Sequence, residues 1–528
     1  MAILRRLLSP IAQLRDGEAS TALLMFAYSF LVMTAYNAVK PITRSAFIRD
    51  LGADNLPYVL LASGLIIGII MTGYAWLMKR LPRRWGLPII QLIMIVVLAL
   101  FWVGFQTEQA WVSIAFYVWG QILGVLLISQ FWTMANVLYD ARQAKRLFGF
   151  IGGGAPLGGM AGSAVAVQAA TIGTTNLLLL SAVVLALAAG VVVLIVTREQ
   201  LEVPADTGPE KPKEAIGTQE SVALLRRSSH LQIIAIIISL AAVGAAIVDQ
   251  QLNMAAEATS GRDDVDAITA FLGLVGLYMS GIGLFVQVWL TSRIHRFLGI
   301  GFALMILPAG LGATAMVMLF NAALWAPAMA RILDQSLRYT VDKTTREILF
   351  LPLPADVKLR AKTFVDVTVD RGAKAVAALL LLVLVQPWGL ALDWQQLSYA
   401  SLGMMVVWLV MSVRARRGYL AAFRRSLERR EVEPTQLRLG VADLSTVETL
   451  VEELAHPDGQ RVLYAIEVLE SLDKRNLVTP LLLHHDSAAV RARALKTLGD
   501  VRSDIAQKWV PSIERLLADT SPEVRVAA

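Results

Sequence analysis

Charged side chains interrupt several long apolar stretches of this sequence, and each is costly in a membrane unless it is paired or faces water. Lys40 and Arg44 stand four residues apart around Pro41 in YNAVKPITRSAF, and Asp249 lies in AAIVDQQLN. Arg331, Asp334 and Arg338 recur at spacings of three and four in ARILDQSLRYTVDK. Asp366, Asp370, Arg371 and Lys374 occupy KTFVDVTVDRGAKA. Residues three or four apart share a helical face, so the spacing predicts stacked charges on single faces, with 366, 370 and 374 aligned. The set holds six cations against four carboxylates. An excess of deep cations in both halves of the chain suits an anionic substrate, and guanidinium and ammonium groups suit phosphate in particular. The carboxylates would hold the cations while the site is empty, or take part in coupling. The competing reading is structural, with Asp334 neutralising Arg331 and Arg338 within one helix.

The elements that must carry these charges are membrane spans. The chain has 528 residues, 56% hydrophobic and 17% charged, too apolar for a single soluble globule. Apolar stretches near the ~20 residues needed to cross a bilayer are expected at 20–47, 56–78, 85–106, 111–138, 146–170, 174–197, 230–253, 267–292, 298–321, 322–350, 362–387 and 395–415. A polar connector with prolines, 198–229, separates two groups of six, the layout of two-lobed secondary transporters. Past 420 the composition changes: 15 basic and 17 acidic residues follow, which marks a soluble region. The expected divisions are therefore 1–197, 198–229, 230–420 and 421–528.

Alternate turns carry the basic residues, among them Lys79, Arg80, Arg83, Arg84, Arg142, Lys145, Arg146, Arg293 and Arg296, while the others hold little beyond Arg49 and Arg262. By the bias of cytoplasmic turns toward Lys and Arg, both termini and the soluble region are expected in the cytoplasm. The start, MAILRRLLSPIAQLRDGEAS (1–20), reads as a short amphipathic helix on that face, without a cleavable signal peptide. The sequence contains no cysteine, which excludes disulfides, thiolate metal sites and a Cys nucleophile. Its five histidines, at 230, 295, 456, 484 and 485, fall at expected helix ends or in the soluble region, which argues against a histidine relay or metal. No phosphate-loop motif is present, so an ATP-driven motor would have to be a separate subunit. No enzyme chemistry, cofactor or nucleic-acid partner is expected. Gly154, Gly158 and Gly162 repeat at four-residue spacing in IGGGAPLGGMAG, the pattern of a close helix contact or of a hinge.

Several segments together resemble the ATP/ADP translocase family of plastids and intracellular bacteria, in the bacterial branch fused to helical repeats. They are Tyr36 to Arg44, FWTMAN (131–136) with QAKRLFGFIGGGA (143–155), IVDQQLN (247–253), SLRYTVDKTTREILFLPLP (336–354) and KTFVDVTVDRGAKA (362–375). The resemblance spans about 1–420. It implies an all-α, major-facilitator-like fold of twelve helices, a site in the central cavity, and exchange of nucleotides without hydrolysis. The family's functional lysine of the first span matches Lys40, its acidic residue of the seventh matches Asp249, with Asp in place of Glu, and its lysine of the eleventh matches Lys374. Gln143 replaces a family Glu, and Pro156 a family Asn. Gln130 and Asn136 offer contacts to a base or sugar, or hydrogen bonds between helices.

The expected substrate-binding set is Lys40, Arg44, Asn136, Asp249, Arg331, Arg338, Asp370 and Lys374, in a bacterial inner-membrane exchanger of ATP/ADP-like anions. Two alternatives are carried alongside: transport of an anionic lipid or lysolipid on the same fold, and a non-transporting membrane sensor or scaffold.

In the soluble region HDSAAVRARALKTLGD (485–500) and ADTSPEVRVAA (518–528) share a pattern, with HPDGQRVLYAIEVLESL (456–472) a looser copy. This resembles a cytoplasmic HEAT-type α-solenoid, expected to run on beyond Ala528, that binds a protein partner or packs against the cytoplasmic turns.

Overall fold

The computed structural model describes residues 18–528 except 83, 200–217, 354, 430–443, 473 and 500–508. Residues 1–17 of the expected amphipathic start and most of the connector 198–229 lie outside the described residues.

Helices α1 (Glu18–Leu51), α2 (Leu56–Arg80), α3 (Gly86–Gly104), α4 (Ala110–Leu138), α5 (Ala141–Gly152) with α6 (Gly154–Val167), and α7 (Thr174–Arg198) build the first half. After α8 (Thr218–Arg227), the second half comprises α9 (Ser229–Ser260), α10 (Val265–Phe285), α11 (Thr291–Phe320), α12 (Trp325–Leu337) with α13 (Lys343–Leu349), α14 (Ala355–Thr363) with α15 (Asp370–Val385), and α16 (Leu397–Arg429). Among the described residues nine segments are long and apolar enough to cross a membrane. One of them, Val265–Phe320, covers two expected spans and bends at Gly299, whose φ of 74° is a left-handed conformation that glycine adopts freely. The tenth and eleventh expected spans fall short of that measure because they carry the charge runs and are interrupted by π turns at Arg338–Asp342 and Phe364–Val369.

The second π turn holds Asp366, and the α-helix beyond it begins at Asp370. Asp370 and Lys374, beyond the turn, keep their one-turn spacing and pair at 2.7 Å.

The small residues of α6 face α1. A Cβ at Gly154, Gly158 or Gly162 would run into the backbone of Phe26, Phe30 or Thr34 respectively, so both partners advance by one turn in step. The four-residue glycine repeat is thus a seam of close backbone approach.

Each half has its own apolar core, and a third cluster, which includes Phe47, Tyr117, Leu272 and Ile332, joins them. Hydrogen bonds between the halves gather near one end of the bundle. Glu257 accepts from the Ala53 backbone N–H at 2.7 Å, Arg262 donates to the Ile48 carbonyl at 3.0 Å, and Gln386 donates to the Asp54 carbonyl at 2.7 Å. Asp266 accepts from the Thr174 N–H at 2.7 Å, and the Ser45 and Thr269 hydroxyls meet at 2.5 Å. The turns at this end are those poor in basic residues. Large apolar side chains such as Ile69, Leu100, Trp111 and Phe320 are exposed on the outer surface, as a lipid-facing bundle requires.

The region after α16 is helical: α17 (Leu444–Glu453), α18 (Gly459–Ser471), α19 (Ala488–Gly499), α20 (Val510–Leu516) and α21 (Pro522–Ala527). Its core includes Phe423 at the end of α16, with Leu351 packed against it, so this region is seated on the second half. The sequence recurrence has a bonding counterpart. Arg491 donates to the carbonyls of His485 and Asp486, and Arg525 to those of Asp519 and Thr520. Side chains of His456, His485 and Asp519 each accept from the backbone N–H two residues on. Arg491 also forks onto the Asp519 carboxylate at 2.8 and 2.9 Å, tying one copy to the next.

Candidate functional site

The charges of the first, seventh and tenth spans meet at the interface of the halves. In α1 Lys40 and Arg44 lie one turn apart, so both face the same way. Arg44 donates to Asp249 of α9 at 2.9 Å. The same carboxylate takes Arg331 of α12 at 3.0 Å. Arg331 reaches Asp334 at 3.4 Å, and Asp334 is also bound by Arg338, whose Nε lies 3.1 Å from Oδ1. The result is a continuous row, Arg44–Asp249–Arg331–Asp334–Arg338, that starts in one half and ends in the other. The side chains of Arg44 and Arg331 are 12% and 11% exposed, that of Asp249 27%, so the row is largely withdrawn from water.

A cavity of about 30 Å³ lies against it, lined by Lys40, Arg44 and Arg331 together with Asn37, Ser163 and Met279. That volume admits a water or two, far below the ~300 Å³ at which small-molecule pockets begin. Among the described residues no carboxylate lies within ion-pairing distance of Lys40. Three cations (Lys40, Arg44, Arg331) line the cavity, and among the described residues they meet two carboxylates (Asp249, Asp334), an excess of positive charge. Guanidinium groups held this way can make charge-assisted hydrogen bonds to an anion.

Asp334 therefore does pair with both of its helix neighbours, as the structural reading of the tenth span anticipated, while Arg331 in addition bridges to Asp249. Asn136 is exposed on α4 and does not join the row. Lys374, 60% exposed, pairs with Asp370 and likewise stands apart. Sequence reasoning missed Asn37 and Ser163. Asn37 precedes Lys40 by one turn, a spacing that could have flagged it; Ser163 reaches the cavity only because the glycines beside it bring α6 against α1.

The replacement of the family Glu by Gln143 is accommodated locally. Gln143 caps α5 together with Asp140 and also donates to Glu18 at 3.1 Å. Glu18 supplies the carboxylate for Arg146 at 2.9 Å. His230 contacts the Leu349 carbonyl at 2.8 Å, and His295 contacts the Thr345 hydroxyl at 2.9 Å and the Thr291 carbonyl at 2.8 Å. Both rings are buried, and His295 lies within α11. Among the described residues no group of three His, Cys, Asp or Glu is placed to hold a metal.

The model of the TLC ATP/ADP transporter family matches residues 90–331 and 319–419. The chain belongs to this family. It is similar to ADP,ATP carrier protein 1 of Chlamydia muridarum, 22% identical over 355 residues that cover 59% of this chain and 66% of the carrier. It is also similar to the chloroplastic ADP,ATP carrier protein 2 of Arabidopsis thaliana, 24% identical over 344 residues, 57% of this chain and 54% of the carrier. The matches thus span two thirds or less of these relatives' length. In fold the chain is similar to a variant of the nucleoside transporter NupG (TM-score 0.52, 14% identity, 75% of this chain and 99% of that one). It is similar also to a bacterial homologue of the iron transporter ferroportin in its inward-facing state (TM-score 0.53, 13% identity, 75% of this chain and 98% of that one). The chain is an integral membrane protein with a transporter fold, and its relatives are carriers rather than enzymes. The family match ends at 419, before the helices of the soluble region.

Proposed function

We propose that this protein exchanges nucleotides of the ATP/ADP class across the bacterial inner membrane by alternating access, with both termini in the cytoplasm. The observation that carries the reading is the charged row at the interface of the halves, with Lys40 beside it in the same cavity and, among the described residues, no carboxylate within ion-pairing distance of it. Asp249 holds Arg44 and Arg331 in the empty carrier. An incoming phosphate displaces it, and the bond between the halves passes from protein carboxylate to substrate. An empty carrier stays held by the Arg44–Asp249 pair, which favours exchange over uncoupled flow. In this orientation the hydrogen-bonded end around Ala53, Glu257 and Gln386 is the outer gate. Asp370, Lys374 and Asn136 belong to the path as second contacts, engaged when the halves move. The soluble region acts as a short repeat stack carried by the second half, with a protein-binding role.

The test is exchange in proteoliposomes loaded with ADP and supplied with labelled ATP. Wild-type protein exchanges the label, Lys40→Gln is slowed on the order of tenfold or more, and Arg331→Gln likewise, as expected when one charge-assisted contact to phosphate is lost. Absence of exchange in wild type, with an anionic lysolipid moved instead, would refute the nucleotide reading and favour lipid transport.

A further inference from the structure

The halves share a second feature, away from the central cavity. Cation–π pairs occur at two corresponding turns, those joining the second to the third span of each half. In the first, Arg80 lies over Trp76 at 3.9 Å and Arg84 over Trp85 at 5.7 Å. In the second, Arg293 lies over Trp289 at 4.8 Å and Arg296 over Phe297 at 5.4 Å. The charges are not neutralised along the chain: the sequence has no carboxylate between Asp54 and Glu108, nor between Asp266 and Asp334. A guanidinium stacked on a ring has its face covered and its in-plane N–H groups still available, the geometry that suits a phosphate oxygen. Arg293 donates one of these to the Trp289 carbonyl at 2.9 Å.

At the second turn a groove of about 470 Å³ is lined by Val288, Trp289, Ser292, Arg293, Arg296 and Phe297. Trp289 and Phe297 are 57% and 65% exposed, and Phe285, stacked on Trp289, is exposed with them. A soluble anion at the arginines would leave these apolar faces in water, whereas a lipid covers them with its acyl chains while its phosphodiester meets the guanidiniums. Both turns lie on the side of the bundle that carries the basic residues, where anionic headgroups attract Arg and Lys.

We propose that these two turns are binding sites for the phosphodiester headgroup of an anionic phospholipid, phosphatidylglycerol being the simplest, one in each half, with Arg293 and Arg296 as the donors in the second half and Arg80 and Arg84 in the first. The proposal is independent of what the central cavity carries.

Native mass spectrometry of the full chain in detergent, titrated with phosphatidylglycerol or with phosphatidylcholine of the same acyl chains, tests it. The wild type retains phosphatidylglycerol preferentially, the double variant Arg293→Gln/Arg296→Gln loses one tightly held lipid, and Arg80→Gln/Arg84→Gln loses another. Affinity falls about fivefold for each arginine removed, while Arg226→Gln, a basic residue outside both turns, changes nothing. Should a double variant fail to fold, brominated phosphatidylglycerol added to wild type quenches tryptophan fluorescence more than brominated phosphatidylcholine does, through Trp289, Trp76 and Trp85. Equal retention of the two lipids, equal quenching by the two, or losses no larger than for Arg226→Gln would overturn the proposal, as would displacement of the lipid by ATP.

Discussion

Asp249→Asn isolates the interaction on which the site rests. The Asp249 carboxylate stands 2.9 Å from Arg44 and 3.0 Å from Arg331. One such contact at about 4 Å amounts to ~4 kcal/mol of Coulomb energy at an effective dielectric of ~20, most of it offset by desolvation. Removing one partner from a buried ion pair costs about 3–5 kcal/mol, because the remaining charge is left uncompensated. Asp249 is 27% exposed, so water reaches it and the lower end, ~3 kcal/mol, applies. For a membrane region of about 400 residues, at ~2.1 cal/mol/K of unfolding entropy per residue, that is a fall in melting temperature of roughly 3–4 °C. The amide keeps the shape and removes the charge, so packing is not the cause. A double-mutant cycle with Arg331→Gln should return a coupling of about 1–3 kcal/mol, and ATP should raise the melting temperature of Asp249→Asn by more than that of wild type, since both guanidiniums are then free to take phosphate. An Asp249→Asn protein that melts within ~0.5 kcal/mol of wild type, or a cycle that is additive, refutes the account of Asp249 as the internal counter-ion.

Gly162→Val places a branched side chain against the Thr34 backbone and should lower stability by about 2–3 kcal/mol or more, read as loss of the monodisperse peak in detergent chromatography; an unchanged profile would mean that α6 and α1 do not approach as described. In the soluble region, the Asp519 carboxyl is held below its ordinary range chiefly by the Arg491 guanidinium, and then by the Ser521 N–H. A carboxyl whose pKa is lower in the folded state stabilises that state above its unfolded pKa and ceases to do so as pH falls through the lowered value, so the protection of amides in 485–499 and 509–528, measured as exchange relative to the intrinsic rate at each pH, should fall below about pH 4. Arg491→Gln should bring that lower protection to neutral pH, and protection in wild type that does not change between about pH 7 and about pH 3 would contradict the pairing.

Much of the membrane region was legible as sequence because its determinants are local. Apolar runs of bilayer length and alternating basic turns depend on composition within each segment, and the structure places a helix at every expected span. The charge stacking of the tenth span was likewise legible, since Arg331, Asp334 and Arg338 lie within two turns of one helix. The π turns at Arg338–Asp342 and Phe364–Val369 were not. The glycine repeat announced a close contact without naming the partner; α1 became the partner only when both helices stepped together from Phe26 to Thr34.

Legible from the chain alone were the charges that interrupt apolar runs, the excess of cations over carboxylates among them, and the small residues along one face of the fifth span. The three-dimensional packing added that Asp249 stands between Arg44 and Arg331, that among the described residues no carboxylate pairs with Lys40, and that Lys374, 60% exposed, and Asn136 stand outside the row. The physical reason is range. Spacing along a helix fixes neighbours within about 6 Å on one face, whereas Arg44 and Asp249 are separated by 205 positions and meet only because the packing of the two halves brings α1 against α9.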